Sequence, residues 1–306
     1  KLVNHLLTPF RGITRADLSG PKGNVATAEF PLVMAPGETR GEKVTPKGAF
    51  PDPKNLPDLR RSGSVHISII SANKTSITEA TVPVVYSNAR VAAGLQVGYV
   101  PSFDKTIEQS LAALGVSAKA IAAEEIKTAD LSSYTTIIID NRGYEAHPEL
   151  IAANARLLEF VNNGGTLIVF YHKSNEWNPD PKRNRPQLAP YPILLGDERV
   201  TDETAQVKFL QPAHPLLNSP NKIRPSDFDN WIQERGLYYP KEWDSHYSAL
   251  FSMNDPGEKP LTGGLLVAKY GKGNYIYTSM VWYRQLRAGV PSGFRMFANM
   301  ISYGKN

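Results

Sequence analysis

The 306-residue sequence contains no cysteine. This excludes a disulfide framework, a thiolate zinc site, an iron–sulfur cluster and a cysteine nucleophile. Exported and cytosolic proteins both fit that absence, and a periplasmic or secreted location is the preferred expectation. No apolar run approaches the ~18 residues of a membrane helix. The longest, Thr135 to Ile139 and Thr166 to Tyr171, are strand-sized. Dense Lys/Arg clusters and interleaved aromatics are missing, so nucleic acid is not an expected partner. Net charge is +5 but uneven: residues 1–93 carry 12 Lys/Arg against 7 Asp/Glu, and residues 94–306 carry 22 of each. A front of this modest basicity reads as a solvated surface. Lys1 opens the chain without a basic-then-apolar leader, which reads as a processed chain or a portion of a longer one.

What is present fits a folded protein. Hydrophobic residues make up 41% and charged residues 21%, enough apolar content for a buried core. The length predicts two units. Residues 1–93 are rich in Pro, Gly, Ser and Thr, with a four-proline loop at Pro46 to Pro57. Alternating runs at Ala28 to Met34, Ser64 to Ser71 and Ala80 to Tyr86 predict strands. In the second, Val65, Ile67 and Ile69 share a face. Asn73-Lys74-Thr75 predicts the turn between the last two, and Leu2, Leu6 and Leu7 suggest a short helix. This unit is read as a small β-rich, sandwich-like segment.

From Gly94 the pattern changes. Gln96 to Val100, Thr135 to Asp140 and Thr166 to Tyr171 read as buried strands. Asp104 is placed to cap a helix carrying Ile107, Leu111 and Leu114. Pro148 opens a longer helix that Asn163-Gly164-Gly165 stops. Strand and helix in alternation imply right-handed parallel crossovers, hence an α/β, doubly wound sheet over residues 94–306. Further on come a strand near Ala205 to Leu210 and an aromatic insertion from Phe228 to Phe251. A hairpin with Gly271-Lys272-Gly273 at its turn precedes a last helix from Pro291.

Ligands of open α/β sheets sit beyond the carboxyl ends of the strands. Those ends offer Ser102 and Asp104, then Asp140, Asn141 and Arg142, then His172. His172 follows a buried strand where many α/β hydrolases place a nucleophile. It reads either as a base or ligand, with Asp140 or Glu176 as orienter, or as a hydrogen-bonded structural residue. Asp140 and Arg142 form either a local capping network or ligand contacts, and His214, between prolines, either presents an imidazole or shapes a turn. The insertion holds Phe228, Trp231, Tyr238, Tyr239, Trp243, Tyr247 and Phe251. Such rings stack on sugars or form a minicore, with Trp231 and Tyr239 as the stacking candidates. No metal-ligand spacing such as H-E-x-x-H occurs.

Four segments carry a resemblance: GLQVGYVPSFDKTIEQSLAALGV (94–116), NRGYEAHPELIAANARLLEFVNNGGTLIVFY (141–171), AHPLLNSPNKIRPSDFDNWIQERGLYY (213–239) and YGKGNYIYTSMVWYRQLRAGVPSGFRMFANMIS (270–302). Residues 94 to about 303 resemble the class I glutamine-amidotransferase-like domain. They resemble more closely the version joined to bacterial PIG-L (LmbE-like) de-N-acetylases. The resemblance implies a flavodoxin-like fold preceded by a β-sandwich. It also implies an accessory region of a zinc-dependent amino-sugar deacetylase, bound to a carbohydrate or glycoconjugate and joined to an upstream or partner deacetylase domain. The departures are specific. Tyr171-His172 stands where the amidotransferase elbow carries Cys, so glutamine hydrolysis by that chemistry is excluded. The His-Pro-Asp-Asp zinc motif is absent, so no cofactor is expected in this chain and zinc only in a separate catalytic domain. A stand-alone hydrolase of sugars or their esters with His172 as base, and a structural or homo-oligomerising domain, are the alternative functions.

Overall fold

The alternating runs near the front do form strands. The computed structural model describes residues 2–20, 23–41, 63–84 and 87–305, and the chain divides into two compact units, Lys1–Asn88 and Ala89–Asn306. The Pro46 to Pro57 segment and the last two residues of the run ending at Tyr86 lie outside the described residues. In the first unit, β1 (Phe10–Gly20), β2 (Gly23–Met34), β3 (Gly63–Ser71) and β4 (Ser76–Val84) make one antiparallel sheet in the order β2-β1-β3-β4. The period of two sets its faces. Thr14, Ala16 and Leu18 are buried with Leu32 and Ile69. Arg15 and Asp17 lie on the opposite face and pair at 2.8 Å. Lys74 turns β3 into β4 with φ 64°.

Two expectations are corrected here. Among the described residues the front carries one four-stranded sheet and a separate two-stranded pair in place of a full sandwich. Leu2 begins no helix: Leu2–Val3 pairs as a strand with Thr39–Arg40.

The second unit is built on a seven-stranded sheet. Its strands are β5 (Val97–Val100), β6 (Ala118–Ala120), β7 (Thr136–Ile139), β8 (Thr166–Val169), β9 (Ser248–Ala249), β10 (Leu265–Tyr270) and β11 (Gly273–Thr278), in the order β9-β10-β11-β8-β7-β5-β6. β5, β7 and β8 are buried along their whole length, because helices cover both faces and leave no solvated side. The helices are α1 (Thr106–Ala113), α2 (Gly143–Ala146), α3 (Glu149–Asn162), α4 (Ser174–Trp177), α5 (Trp282–Arg287) and α6 (Pro291–Ser302). On α3 the helical spacing turns Leu150, Ala153, Leu157, Phe160 and Val161 inward.

The expected doubly wound, flavodoxin-like (glutamine-amidotransferase-like) fold is corrected. The sheet is mixed, with β9 and β10 antiparallel to their neighbours, and strand exceeds helix at about 32% against 24%. The physical reason is the glycine turn. Two residues connect β10 to β11, too few for the helical crossover that a parallel pair needs. Residues 171–264 add mostly two-stranded ribbons and 3-10 turns, such as Ile193–Leu195 with Pro240–Trp243 and Lys208–Phe209 with Phe251–Ser252. Arg235, 3% exposed, pins this region. Its guanidinium donates to the carbonyls of Ala205 and Phe228 and lies 5.3 Å from the Trp231 ring centre.

Candidate functional site

The strand order reverses at β5. The chain places β6 on one side of it and β7 on the other. Open α/β sheets take ligands at the carboxyl ends beside such a reversal. A cavity of about 350 Å3 opens there, lined by Tyr99, Pro101, Ser102, Phe103, Asp104 and Asp140 among others.

Asp140 ends β7 and is 1% exposed. Its Oδ2 accepts from the Ser102 hydroxyl at 2.8 Å and the Ser102 N–H at 3.3 Å, and its Oδ1 accepts from the Asn141 N–H at 2.7 Å. Burial pushes this carboxyl up to about 6; the Asp104 charge adds to the rise and the hydrogen bonds oppose it. Asp104 accepts from the Thr106 N–H at 2.7 Å at the start of α1 and is ion-paired with Arg287.

Beside this cavity the other strand ends build an aromatic platform in which Tyr171 and Tyr283 are buried, at 7% and 8% exposure, and Tyr238 is half-buried. Tyr171, just past β8, stacks with Tyr283 of α5 (5.6 Å, 18°) and with Tyr238 of the insertion (6.3 Å, 10°). Arginines rim it: Arg199 over Tyr238 at 5.9 Å, and Arg284 and Arg287 over Tyr283 at 5.4 and 5.8 Å. Arg284 pairs with Glu234 at 2.7 Å. Arg142 pairs with the buried Glu176 at 2.7 Å and with Glu145, and lies 5.2 Å from the ring of Phe103. Arg142 and Tyr238 both hold left-handed backbone, φ 57° and 50°. That conformation is costly for bulky side chains and is maintained where the surroundings over-determine it, as functional sites do.

The residues proposed from sequence therefore separate. Asp104, Asp140, Arg142 and Glu176 converge on the carboxyl ends. His172 is adjacent but wholly buried, and its reading as a base or ligand is corrected. Its Nδ1 donates to the Phe170 carbonyl at 2.8 Å and its Nε2 accepts from the Tyr144 N–H at 3.1 Å, so no lone pair remains to take a substrate proton. Burial pushes the imidazole down to about 3, which keeps it neutral. Trp231 and Tyr239 are 2% and 1% exposed. They belong to the minicore with Phe228 and Phe251 and cannot stack on a ligand. His214 is also corrected. Its Nδ1 accepts from the Leu216 N–H, and its ring stacks on Tyr303, whose carbonyl accepts from Thr166 at the amino end of β8. It lies at the far end of the sheet.

Tyr171, Tyr238, Tyr283, Arg199, Arg284 and Arg287 were not singled out from sequence as site residues. They arise from separate segments that share no spacing. Position alone could have flagged Tyr171, which follows a buried strand as directly as His172 does. Among the described residues no group of three or more His, Asp or Glu could hold a metal ion, and no helix is long and apolar enough to cross a membrane.

No protein-family model matches the chain, and no curated protein sequence does. Solved structures align with it loosely. A cold-adapted β-galactosidase from Rahnella sp. R3 is 18% identical, with 69% of this chain and 31% of that one covered and a TM-score of 0.37. The cytoplasmic protein STM1381 from Salmonella typhimurium LT2 is 13% identical over 78% and 95%, with a TM-score of 0.43. An exo-β-1,4-mannosidase from Opitutaceae bacterium strain TAV5 is 11% identical over 68% and 36%, with a TM-score of 0.39. The chain spans about a third of the length of these glycosidases.

Proposed function

We propose that this chain is a carbohydrate-recognising accessory region of a larger enzyme, without a catalytic centre of its own. The enzyme that the sequence resemblance suggests is an amino-sugar deacetylase. The observation that carries the reading is the Tyr238–Tyr171–Tyr283 platform with its rim of guanidinium–carboxylate pairs. A sugar ring presents apolar C–H faces and a girdle of hydroxyls. The half-buried Tyr238, backed by Tyr171 and Tyr283, meets a face, and paired Arg and Glu or Asp side chains offer a donor and an acceptor side by side to the hydroxyls. The near balance of charge at the rim suits a neutral or weakly charged polyhydroxyl ligand better than a polyanion.

Calorimetry with a panel of tetrasaccharides tests this. Binding to at least one is expected, and Tyr238→Ala is expected to weaken it roughly tenfold, the worth of one stacking contact. Lys269→Ala, at an exposed position near the opposite end of the sheet, is expected to leave the affinity unchanged. Absence of binding to every member of the panel, or indifference to Tyr238→Ala, would remove the proposal.

A further inference from the structure

We propose that the cavity at the strand-order reversal is a subsite for a protonated amine, so that the sugar this domain prefers carries a free amino group. The inference rests on the carbohydrate reading above and adds the charge of the ligand and the place where that charge sits. Asp140 forms the inner wall of the cavity, and its three hydrogen-bond donors (Ser102 N–H, Ser102 O–H, Asn141 N–H) are all neutral. Among the described residues no Lys, Arg or His lies within ion-pair distance of it. Of the neighbouring cations, Arg287 is paired with Asp104 and Arg142 with Glu145 and Glu176, while Lys105, which also lines the cavity, lies beyond ion-pair distance of Asp140. A buried carboxylate without a counter-charge is poorly stabilised, and the cavity is the side from which a counter-charge can arrive.

The other lining residues fit such a guest. The Ser102 hydroxyl gives its proton to Asp140, which leaves its oxygen to accept an N–H from the ligand. Tyr99, Ile107 and Ala120 provide apolar wall for ring carbons. Phe103, 59% exposed at the mouth, offers a face for stacking. The tie between Arg287 and Asp104 joins this cavity to the tyrosine platform, so a chain of sugars can lie on the platform with one amino-bearing unit in the cavity. N-acetylation removes the positive charge and adds bulk, so the acetylated sugar loses the interaction.

The test is calorimetry at neutral pH on the full chain with three tetrasaccharides: the glucosamine tetramer, the N-acetylglucosamine tetramer and the glucose tetramer of the same β-1,4 linkage. The glucosamine tetramer is expected to bind at least tenfold more tightly than the other two. Asp140→Asn is expected to abolish that preference, and Ser102→Ala, which keeps the buried carboxylate, to reduce it. Equal affinity for the three tetramers, or a preference that survives in Asp140→Asn, overturns the amine subsite and leaves the platform reading intact. No binding of any of the three, with wider panels also silent, overturns both.

Discussion

Replacing Trp282 with alanine is expected to lower the unfolding free energy of the α/β unit by about 3–5 kcal/mol, the range for deleting a large buried aromatic side chain. Trp282 is 1% exposed. It crosses the Trp231 ring edge-on at 4.8 Å, lies 6.2 Å from the Phe228 ring centre, and donates Nε1–H to the Thr278 hydroxyl at 2.9 Å. Truncation leaves a cavity between the end of β11 and the insertion. The surrounding rings are held by their own contacts, so the space cannot close completely. For a unit of about 200 residues each kcal/mol corresponds to roughly 2–4 °C in the thermal midpoint. Trp282→Phe keeps most of the volume and loses the N–H bond, and a smaller cost of about 1–2 kcal/mol is expected. Trp282 also opens α5, which carries Tyr283, Arg284 and Arg287 to the platform, so ligand affinity should fall in the alanine variant even where it remains folded. Urea unfolding of the variants beside the parent chain decides the matter. A cost below about 1 kcal/mol for the alanine variant would mean that this layer is not the packed core described above.

Local elements were readable in the sequence where one physical signal dominated. The run TLIVFY needs cover on both faces and forms a central strand. The glycines at 271 and 273 mark the hairpin, but the sequence does not show why both are needed. Gly271 has φ 55°, and a Cβ at Gly273 would lie 2.1 and 2.2 Å from the carbonyl oxygens of Val161 and Gly165. That is a tertiary contact with the end of α3. The same hairpin makes the sheet mixed, because a short turn stands where continued alternation of strands and helices predicts a crossover. The sandwich expectation failed differently: alternation in a strand reports that one face is buried and does not report what buries it.

The site was legible only in part. Asp104, Asp140 and Arg142 follow from the rule that strand ends point at ligands. Aromatic density misled, since rings clustered within 24 residues of sequence bury one another first: Trp231 and Tyr239 went inside, and Tyr238 between them stayed half-buried. A left-handed φ at Tyr238 is what presents that ring, and no propensity predicts such a value for tyrosine. His172 and Tyr171 are adjacent, and successive side chains past a strand leave on opposite faces. Tyr171 points to the platform, and His172 packs against Tyr144 and Trp177.

The two perturbed groups at this end of the sheet predict opposite pH behaviour, and the difference can be measured. In the folded chain Asp140 titrates near 6 instead of at its ordinary 3.8. Its ionised form is therefore costly in the fold. The cost is fully present above pH 6 and is relieved as pH falls from 6 to 3.8, where the folded state takes up a proton that the unfolded chain does not. Two pH units at ~1.4 kcal/mol each amount to about 3 kcal/mol. The Asn amide nitrogen cannot accept one of the N–H bonds that the carboxylate takes, a cost independent of pH, so the stability of Asp140→Asn relative to the parent is expected to rise by about 3 kcal/mol between pH 4 and pH 7. His172 has its folded value pushed down to about 3 from 6.5. Here the unfolded chain takes up the proton first, so wild-type stability falls as pH drops below 6.5. A His172→Asn variant loses two buried hydrogen bonds at pH 7, but its deficit should shrink by about 1.4 kcal/mol per pH unit on the way down. Carboxylates remote from both sites, such as Asp17, titrate alike in parent and variants and cancel in the differences. Urea titrations at pH 7, 6, 5 and 4 provide the four points. A constant difference between Asp140→Asn and the parent across that range would show that Asp140 is solvated in the folded chain. The cavity wall would then carry no uncompensated charge, and the reason for an amine to enter it would be gone.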